Sequence, residues 1–223
     1  VSFTVSSHGA TSCVLLLFRP AAQEPYARIR IPESYKIGNT YSILVFGLKA
    51  EDFEYAYQMD GPADQARGLL FNRKHTLLDP YAKAVTGQRN WGEKPEGGKD
   101  FVYKARVVQS DFDWGRYRNL NYKFEDLVIY EMHVRGFTKD ASSGVKGGGT
   151  FEGLRQKIPY LKDLGINAVE LMPIFEFDEM ESARVVDGVQ LYNYWGYNTV
   201  SFFAPNTSYS SVVEHNHEGD ELK

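Results

Sequence analysis

The sequence predicts a multidomain chain: a β-sandwich over residues 1–118, then the start of a parallel α/β fold over residues 119–223. Three observations predict it. The first half holds short apolar runs of strand length, several of them alternating, separated by turn residues. From Leu127 the pattern changes to an apolar strand, a helix-period stretch and a second apolar strand. After that second strand comes Tyr192-Asn193-Tyr194-Trp195-Gly196-Tyr197-Asn198. Its four aromatics, two amides and one glycine suit neither an aliphatic core segment nor an ordinary solvated loop.

In the first half, Val1-Ser2-Phe3-Thr4-Val5 already alternates, and Cys13 to Phe18 is a short apolar run. In Tyr26 to Ile31, Ile29 and Ile31 are expected to face in, with Arg28 and Arg30 facing out. Tyr41 to Phe46 is rich in aromatic and β-branched residues. Tyr55 to Met59 alternates again and ends at the turn Asp60-Gly61-Pro62. Phe101 to Val108 offers a further strand. Between these, Asp79 suits the cap of a helical turn with Pro80 in its first position. The Leu78–Val85 segment and Asn90-Trp91-Gly92 read as the passage toward the next domain. Asp111-Phe112-Asp113-Trp114 is a polar–aromatic patch in which Trp114 is expected to be buried in packing rather than offered to a sugar.

In the second half, Leu127 to Val134 reads as a mostly buried strand. The glycine-rich loop Gly144 to Gly149 lacks the GxxxxGK[ST] spacing, so no phosphate cradle is expected there. Thr150 can cap a helix whose inner face is Phe151, Leu154, Ile158, Leu161 and Leu164, with Pro159 kinking it or costing it a hydrogen bond and Gly165 ending it. Ile166 to Met172 is a second buried strand, stopped by Pro173. A long loop from Pro173 to about Val200 leads into Ser201-Phe202-Phe203-Ala204-Pro205. Two parallel strands leave unpaired edges and half a core, so this half is not expected to fold stably alone. The closing stretch Glu218 to Lys223 reads as the beginning of a helix. With no initiator methionine at Val1, the chain reads as a fragment at both ends.

Composition narrows the function classes. The chain has 223 residues, 43% hydrophobic and 24% charged, the profile of a soluble globular protein. A net charge of -4 without a basic run gives no electrostatic case for nucleic acid or an anionic membrane. Cys13 is the only cysteine, so no intrachain disulfide and no Cys/His metal spacing exist. The longest apolar run, Val14 to Phe18, is far too short to span a membrane. No cofactor and no metal ligand set are called. The Tyr192–Asn198 stretch combines flat apolar faces with amide donors and acceptors, which suits the C–H faces and hydroxyl rim of a sugar. The same residues also suit an aromatic cluster that pins a long loop.

At Leu127-Val128-Ile129-Tyr130-Glu131-Met132-His133-Val134-Arg135-Gly136-Phe137-Thr138 the sequence resembles the α-amylase superfamily of glycoside hydrolases. Within it the chain is similar to the isoamylase group of starch and glycogen debranching enzymes, especially the plant and algal plastid type. Leu164 to Ile174 resembles the family's second barrel strand, and Glu176-Phe177-Asp178-Glu179 the loop after it. Tyr194 to Asn198 with Phe202 to Pro205 resembles its glucan-facing loop, and Asp79 to Lys83 its inter-domain segment.

The resemblance implies an immunoglobulin-like, starch-binding-type sandwich at 1–118. It implies the first two βα units of an incomplete (β/α)8 TIM barrel at 119–223. It implies cleavage of α-1,6 branch linkages in amylopectin or glycogen with retention, homo- or hetero-oligomers with other isoamylase-type subunits, and a plastid stroma location. The family's catalytic carboxylates follow later barrel strands, so no catalytic residue is assigned and the chain alone is expected to be inactive. Glu131 and Glu170 are expected to be buried structural carboxylates, and Glu176, Asp178 and Glu179 a solvated loop edge. Of the substrate-binding candidates, Tyr197 is the sugar-stacking residue by resemblance, with Trp195 and Tyr194 either shaping the wall or packing so as to hold Tyr197. His133 is expected to be a core or supporting histidine. A non-catalytic glucan-binding subunit on the same scaffold, a branching enzyme or an α-amylase relative are the alternatives.

Overall fold

The computed structural model describes residues 1–87, 89–93, 101–109, 111–211, 217 and 219–223. Glu218, in the closing stretch expected to start a helix, lies outside the described residues, and 219–222 are turn. The chain divides into two units, Val1–Thr86 with Pro95–Val108, and Gly87–Lys94 with Gln109–Lys223.

The first unit is built of β1 (Ser2–Ser6), β2 (Ser12–Phe18), β3 (Pro25–Arg30), β4 (Lys36–Ile37), β5 (Thr40–Leu44), β6 (Glu54–Asp60), β7 (Ala63–Asp64), β8 (Leu69–Leu70), β9 (Ala84–Val85) and β10 (Ala105–Arg106). They form a three-stranded sheet in the order β1-β5-β4 and a five-stranded sheet in the order β3-β2-β6-β10-β9, with β7 and β8 as a small ladder. The Phe3 ring on β1 meets Tyr55 on β6 edge-on at 5.0 Å and Phe53 at 5.9 Å, so aromatic contacts join the two sheets. On β3 the expected alternation is present: Ala27 and Ile29 turn inward, Arg28 and Arg30 outward, and Ile31 is buried.

β6 departs from its expected alternation, because Glu54 through Tyr57 are all buried. It is a central strand, bonded to β2 along one edge and to β10 and Leu77 along the other. A covered central strand has no solvated face to mark in the sequence. Glu54 is held there by two cations: Lys104 Nζ lies 3.1 Å from one carboxylate oxygen and Arg106 Nη2 2.8 Å from the other. The strand expected over Phe101 to Val108 shrinks to Ala105–Arg106, and the Lys104 amide donates to Thr86 Oγ1 instead. Asp79 caps no helix. Its Oδ1 accepts from the Tyr81 amide in a turn and its Oδ2 from Tyr55 Oη.

In the second unit, β11 (Ile129–Met132) pairs in parallel with β12 (Ala168–Leu171), and between them run α1 (Val134–Thr138), α2 (Phe151–Arg155) and α3 (Ile158–Asp163). Thr150 Oγ1 caps α2 by accepting from the Gly153 amide, as expected. Pro159 breaks the helix rather than kinking it. Proline has no amide to donate and its ring clashes with the carbonyl four residues back, so a new helix starts with Pro159 in its first turn, where no amide partner is needed. Phe151 and Leu161 are buried, whereas Ile158 and Leu164 are about half exposed, so only part of the expected face meets a core. The strands expected to be buried are not: Ile129, Glu131, Val169 and Glu170 are all exposed, because this parallel pair has no further strand beside it among the described residues. Glu131 and Glu170, opposite each other in register, are therefore not buried carboxylates.

The stretch expected as one long loop after Pro173 contains β13 (Phe175–Phe177) and the hairpin β14 (Arg184–Val186) and β15 (Val189–Leu191), turned at Asp187-Gly188. β13 pairs antiparallel with β16 (Thr199–Pro205). Val134, Phe151, Phe177 and Tyr209 form the unit's buried core, with Trp91, Leu154, Leu171 and Ile174 packed against it. Trp114, expected to be buried, is 55% exposed in an edge-to-face cluster with Phe112. Among the described residues no helix is long and apolar enough to cross a membrane.

Candidate functional site: a braced aromatic loop

The Tyr192–Asn198 loop joins β15 to β16, and its backbone is held from several sides. The Asn193 amide donates to Glu179 O at 2.9 Å, and Asn193 Nδ2 to Asp178 O at 3.2 Å. Asn198 Nδ2 donates to Glu181 Oε2 at 2.6 Å. Gly196 sits at φ +78°, and a side chain there would run into the buried Phe177 ring. These bonds are why polar amides alternate with rings in this stretch: the amides fix the backbone and the rings fill or face the space around it.

The rings divide into two groups. The Tyr194 ring stacks on the His133 imidazole at 4.2 Å and 9°, inside a cluster with Trp91. Trp195 meets the edges of Tyr194 and His133 yet remains 53% exposed. Tyr197 is 72% exposed. Tyr192, Asn193, Tyr194 and Asn198 also line a pocket of about 550 Å³ with Glu181, Ser182, Arg184, Gln190 and Leu191. Of the three sequence-derived candidates, Tyr194 is in this wall, while Trp195 and Tyr197 lie outside it on the open face of the loop.

His133, at the end of β11, is 7% exposed and central to the bracing. Its Nδ1 accepts from the Gly136 amide at 3.0 Å, capping α1. Its Nε2 lies 2.8 Å from Tyr194 O and 3.1 Å from Tyr209 Oη. A carbonyl can only accept, so Nε2 carries the proton and the ring is neutral. Burial, with a smaller push from Arg135, lowers its pKa, against the pull of the Tyr194 carbonyl.

Trp91, which the sequence places in the passage toward the next domain, belongs to this cluster. It stacks on Tyr209 at 5.9 Å and 7°, with the Arg135 guanidinium 4.5 Å from the centre of its ring. Its signal in the sequence was an isolated tryptophan in a turn, which local pattern cannot connect to residues 40 and more positions away.

Glu176 and Glu179 reverse their expected place at a solvated edge, since both are 0% exposed. Glu176 Oε2 accepts from the Thr207 amide at 2.7 Å, and Glu179 Oε1 from Ser208 Oγ at 2.5 Å and Asn206 Nδ2 at 3.3 Å. Asn206 and Thr207 follow β16, so pairing of β13 with β16 brings donors and acids together. Burial raises the Glu176 pKa well above the usual carboxylate range and pushes Glu179 from 4.5 to about 7. Between those values the folded state keeps a proton that the unfolded chain has released, so this contribution falls as pH rises through the window. Glu179→Gln should therefore stabilise the fold relative to the parent at about pH 8, by up to about 3 kcal/mol and with a higher thermal midpoint, and not at about pH 5. An equal midpoint difference at both pH values would refute this. Among the described residues no group of three or more His, Cys, Asp or Glu is placed to hold a metal ion.

Comparison with known proteins agrees with this architecture. Residues 1–82 match carbohydrate-binding module 48 (isoamylase N-terminal domain). The chain is 38% identical to isoamylase 3, chloroplastic, of Oryza sativa subsp. japonica, over 95% of its own length and 28% of that protein. It is 32% identical to the glycogen debranching enzyme of Serratia proteamaculans, over 95% of its own length and 33% of that protein. Its fold matches the crystal structure of pullulanase complexed with maltotetraose from Anoxybacillus sp. LM18-11 with a TM-score of 0.71 and 25% identity, covering 99% of this chain and 30% of that one. The chain thus spans about a third or less of the length of these relatives. Over residues 1–82 it is an immunoglobulin-like carbohydrate-binding module 48 domain, and as a whole it is related to the isoamylases and glycogen debranching enzymes.

Proposed function

We propose that this chain is part of an isoamylase-type glycoside hydrolase, with a module 48 sandwich at residues 1–118 and the first two βα units of a (β/α)8 barrel at residues 119–223. Its ligand is an α-glucan such as amylopectin or glycogen, and the whole protein hydrolyses α-1,6 branch linkages with retention. The observation that carries this is the braced loop, which presents Trp195 and Tyr197 to solvent on a fixed backbone. Ordinary packing would bury those rings, whereas a sugar face needs them exposed and held still. The maltotetraose complex of the related pullulanase supports the ligand class. The exposed, two-stranded parallel sheet supports the barrel, since parallel sheets are otherwise covered on both faces. The chloroplastic relatives support a plastid location.

Retention needs two carboxyl groups about 5–5.5 Å apart across the scissile bond. The buried, hydrogen-bonded state of Glu176 and Glu179 supports a structural role for both. We assign no catalytic residue among these 223 positions and expect no hydrolysis by them alone. Titration calorimetry with maltotetraose tests the loop. Binding is expected to be weak, and Tyr197→Ala should lower affinity about fivefold, or about 1 kcal/mol, with an unchanged thermal midpoint. An affinity insensitive to that substitution would sink the assignment of Tyr197.

A further inference from the structure

We propose that His133 is a positioning residue for the glucan-facing loop, holding Tyr194 by its carbonyl and its ring so that Trp195 and Tyr197 keep their exposed pose. This rests on the reading of that loop given above.

The geometry separates two jobs on one ring. Nδ1 serves its own element, accepting from the Gly136 amide at the start of α1. Nε2 reaches across 61 positions of sequence to the Tyr194 carbonyl. The flat faces match as well, with the Tyr194 ring 4.2 Å from the imidazole and 9° from parallel. A histidine that only capped α1 would need neither the second bond nor the stack. The His133 link acts together with the Asn193 bonds to the 178–179 backbone, the Asn198–Glu181 bond and the seat of Gly196 on Phe177 to fix the rings that follow. Trp195 also touches the His133 ring edge, which sets where its exposed face points.

Two substitutions separate the jobs. In His133→Asn the side-chain oxygen lies where Nδ1 was and keeps the cap on Gly136, but it stops short of Tyr194. In His133→Gln the terminal amide reaches the place of Nε2 and can donate to Tyr194 O, while the cap is lost. Amide exchange in the 223-residue chain reads the loop, and the thermal midpoint reads the fold. His133→Asn should speed exchange at residues 194–198 about tenfold while other amides of the second unit stay within about twofold of the parent. His133→Gln should return loop exchange to within about threefold of the parent. Unchanged loop exchange in His133→Asn, or acceleration spread evenly over the unit, would overturn the proposal. If His133→Asn does not fold, ring-nitrogen NMR shifts of the parent chain decide: a proton on Nε2 alone at neutral pH is expected, and one on Nδ1 overturns it. These readouts need no ligand. Absence of maltotetraose binding by the parent chain would therefore count against the glucan reading without touching the His133 link.

Discussion

Glu54→Leu is expected to lower the stability of the sandwich unit by about 3–5 kcal/mol. Glu54 is fully buried and is the counter-charge for Lys104, itself buried, and Arg106. Both cations lie on or beside β10, a strand of two residues whose ladder bonds alone are few. The carboxylate does more there than balance charge, since it ties β10 to the central strand β6. Lys104 Nζ also donates to Ala22 O at 2.6 Å, so the side chain cannot swing out to water without breaking that bond. Removing the acid leaves two cations in a site of low polarisability, where they cost several kcal/mol together. Denaturant unfolding of the 223-residue chain measures the loss. Changing all three residues to apolar ones of similar volume, Glu54→Leu with Lys104→Met and Arg106→Met, should recover most of it. A single-substitution loss under about 1 kcal/mol would show that the triad is solvated in solution.

Gly196→Ala is expected to have the second largest effect, a loss of about 2–4 kcal/mol in the second unit together with loss of the proposed maltotetraose binding. Two costs add. The backbone stands at φ +78°, which an L side chain resists by about 1 kcal/mol. A Cβ would also lie 2.5 Å from Phe177 Cε1, and Phe177 is a core ring with no room to retreat. Either Phe177 shifts and disturbs Tyr209 and Trp91, which touch it, or the loop lifts and Tyr197 moves with it. Gly38→Ala is the control. Gly38 has φ +60° and open space around it, so it carries the backbone cost alone. If both alanines cost the same, the contact with Phe177 is not what confines position 196.

Much of the first unit was legible because β-strands with one covered face write their alternation into the sequence, as β3 does with Ile29 and Arg28. The strand β6 was legible over Tyr55 to Met59, but its burial was not, because a strand covered on both faces has no polar period to read. At Pro159 the chemistry was legible and its outcome was not. The missing amide and the ring clash were certain, while the choice of a broken helix over a kinked one depends on how the two halves pack. In the loop, residue types pointed to the Tyr192–Asn198 stretch, and the family resemblance to Tyr197 with Trp195 and Tyr194 within it. They did not say that Tyr194 faces a histidine while the other two stay open to solvent.

By itself the sequence determined the sandwich, the parallel pair with its helical crossover, the family and the aromatic–amide loop. Each of these is a property of local periodicity or of a contiguous motif. Tertiary structure alone decided where the charges and the bracing lie. Glu176 and Glu179 read as solvated acids until β13 pairs with β16 and brings Asn206, Thr207 and Ser208 onto them. His133 and Trp91 read as a strand end and a turn until the chain folds both against Tyr194 and Tyr209. The physical reason is common to all four residues. Burial and hydrogen-bond partnership depend on contacts between residues tens of positions apart, and no local pattern of residue types encodes which of those contacts form.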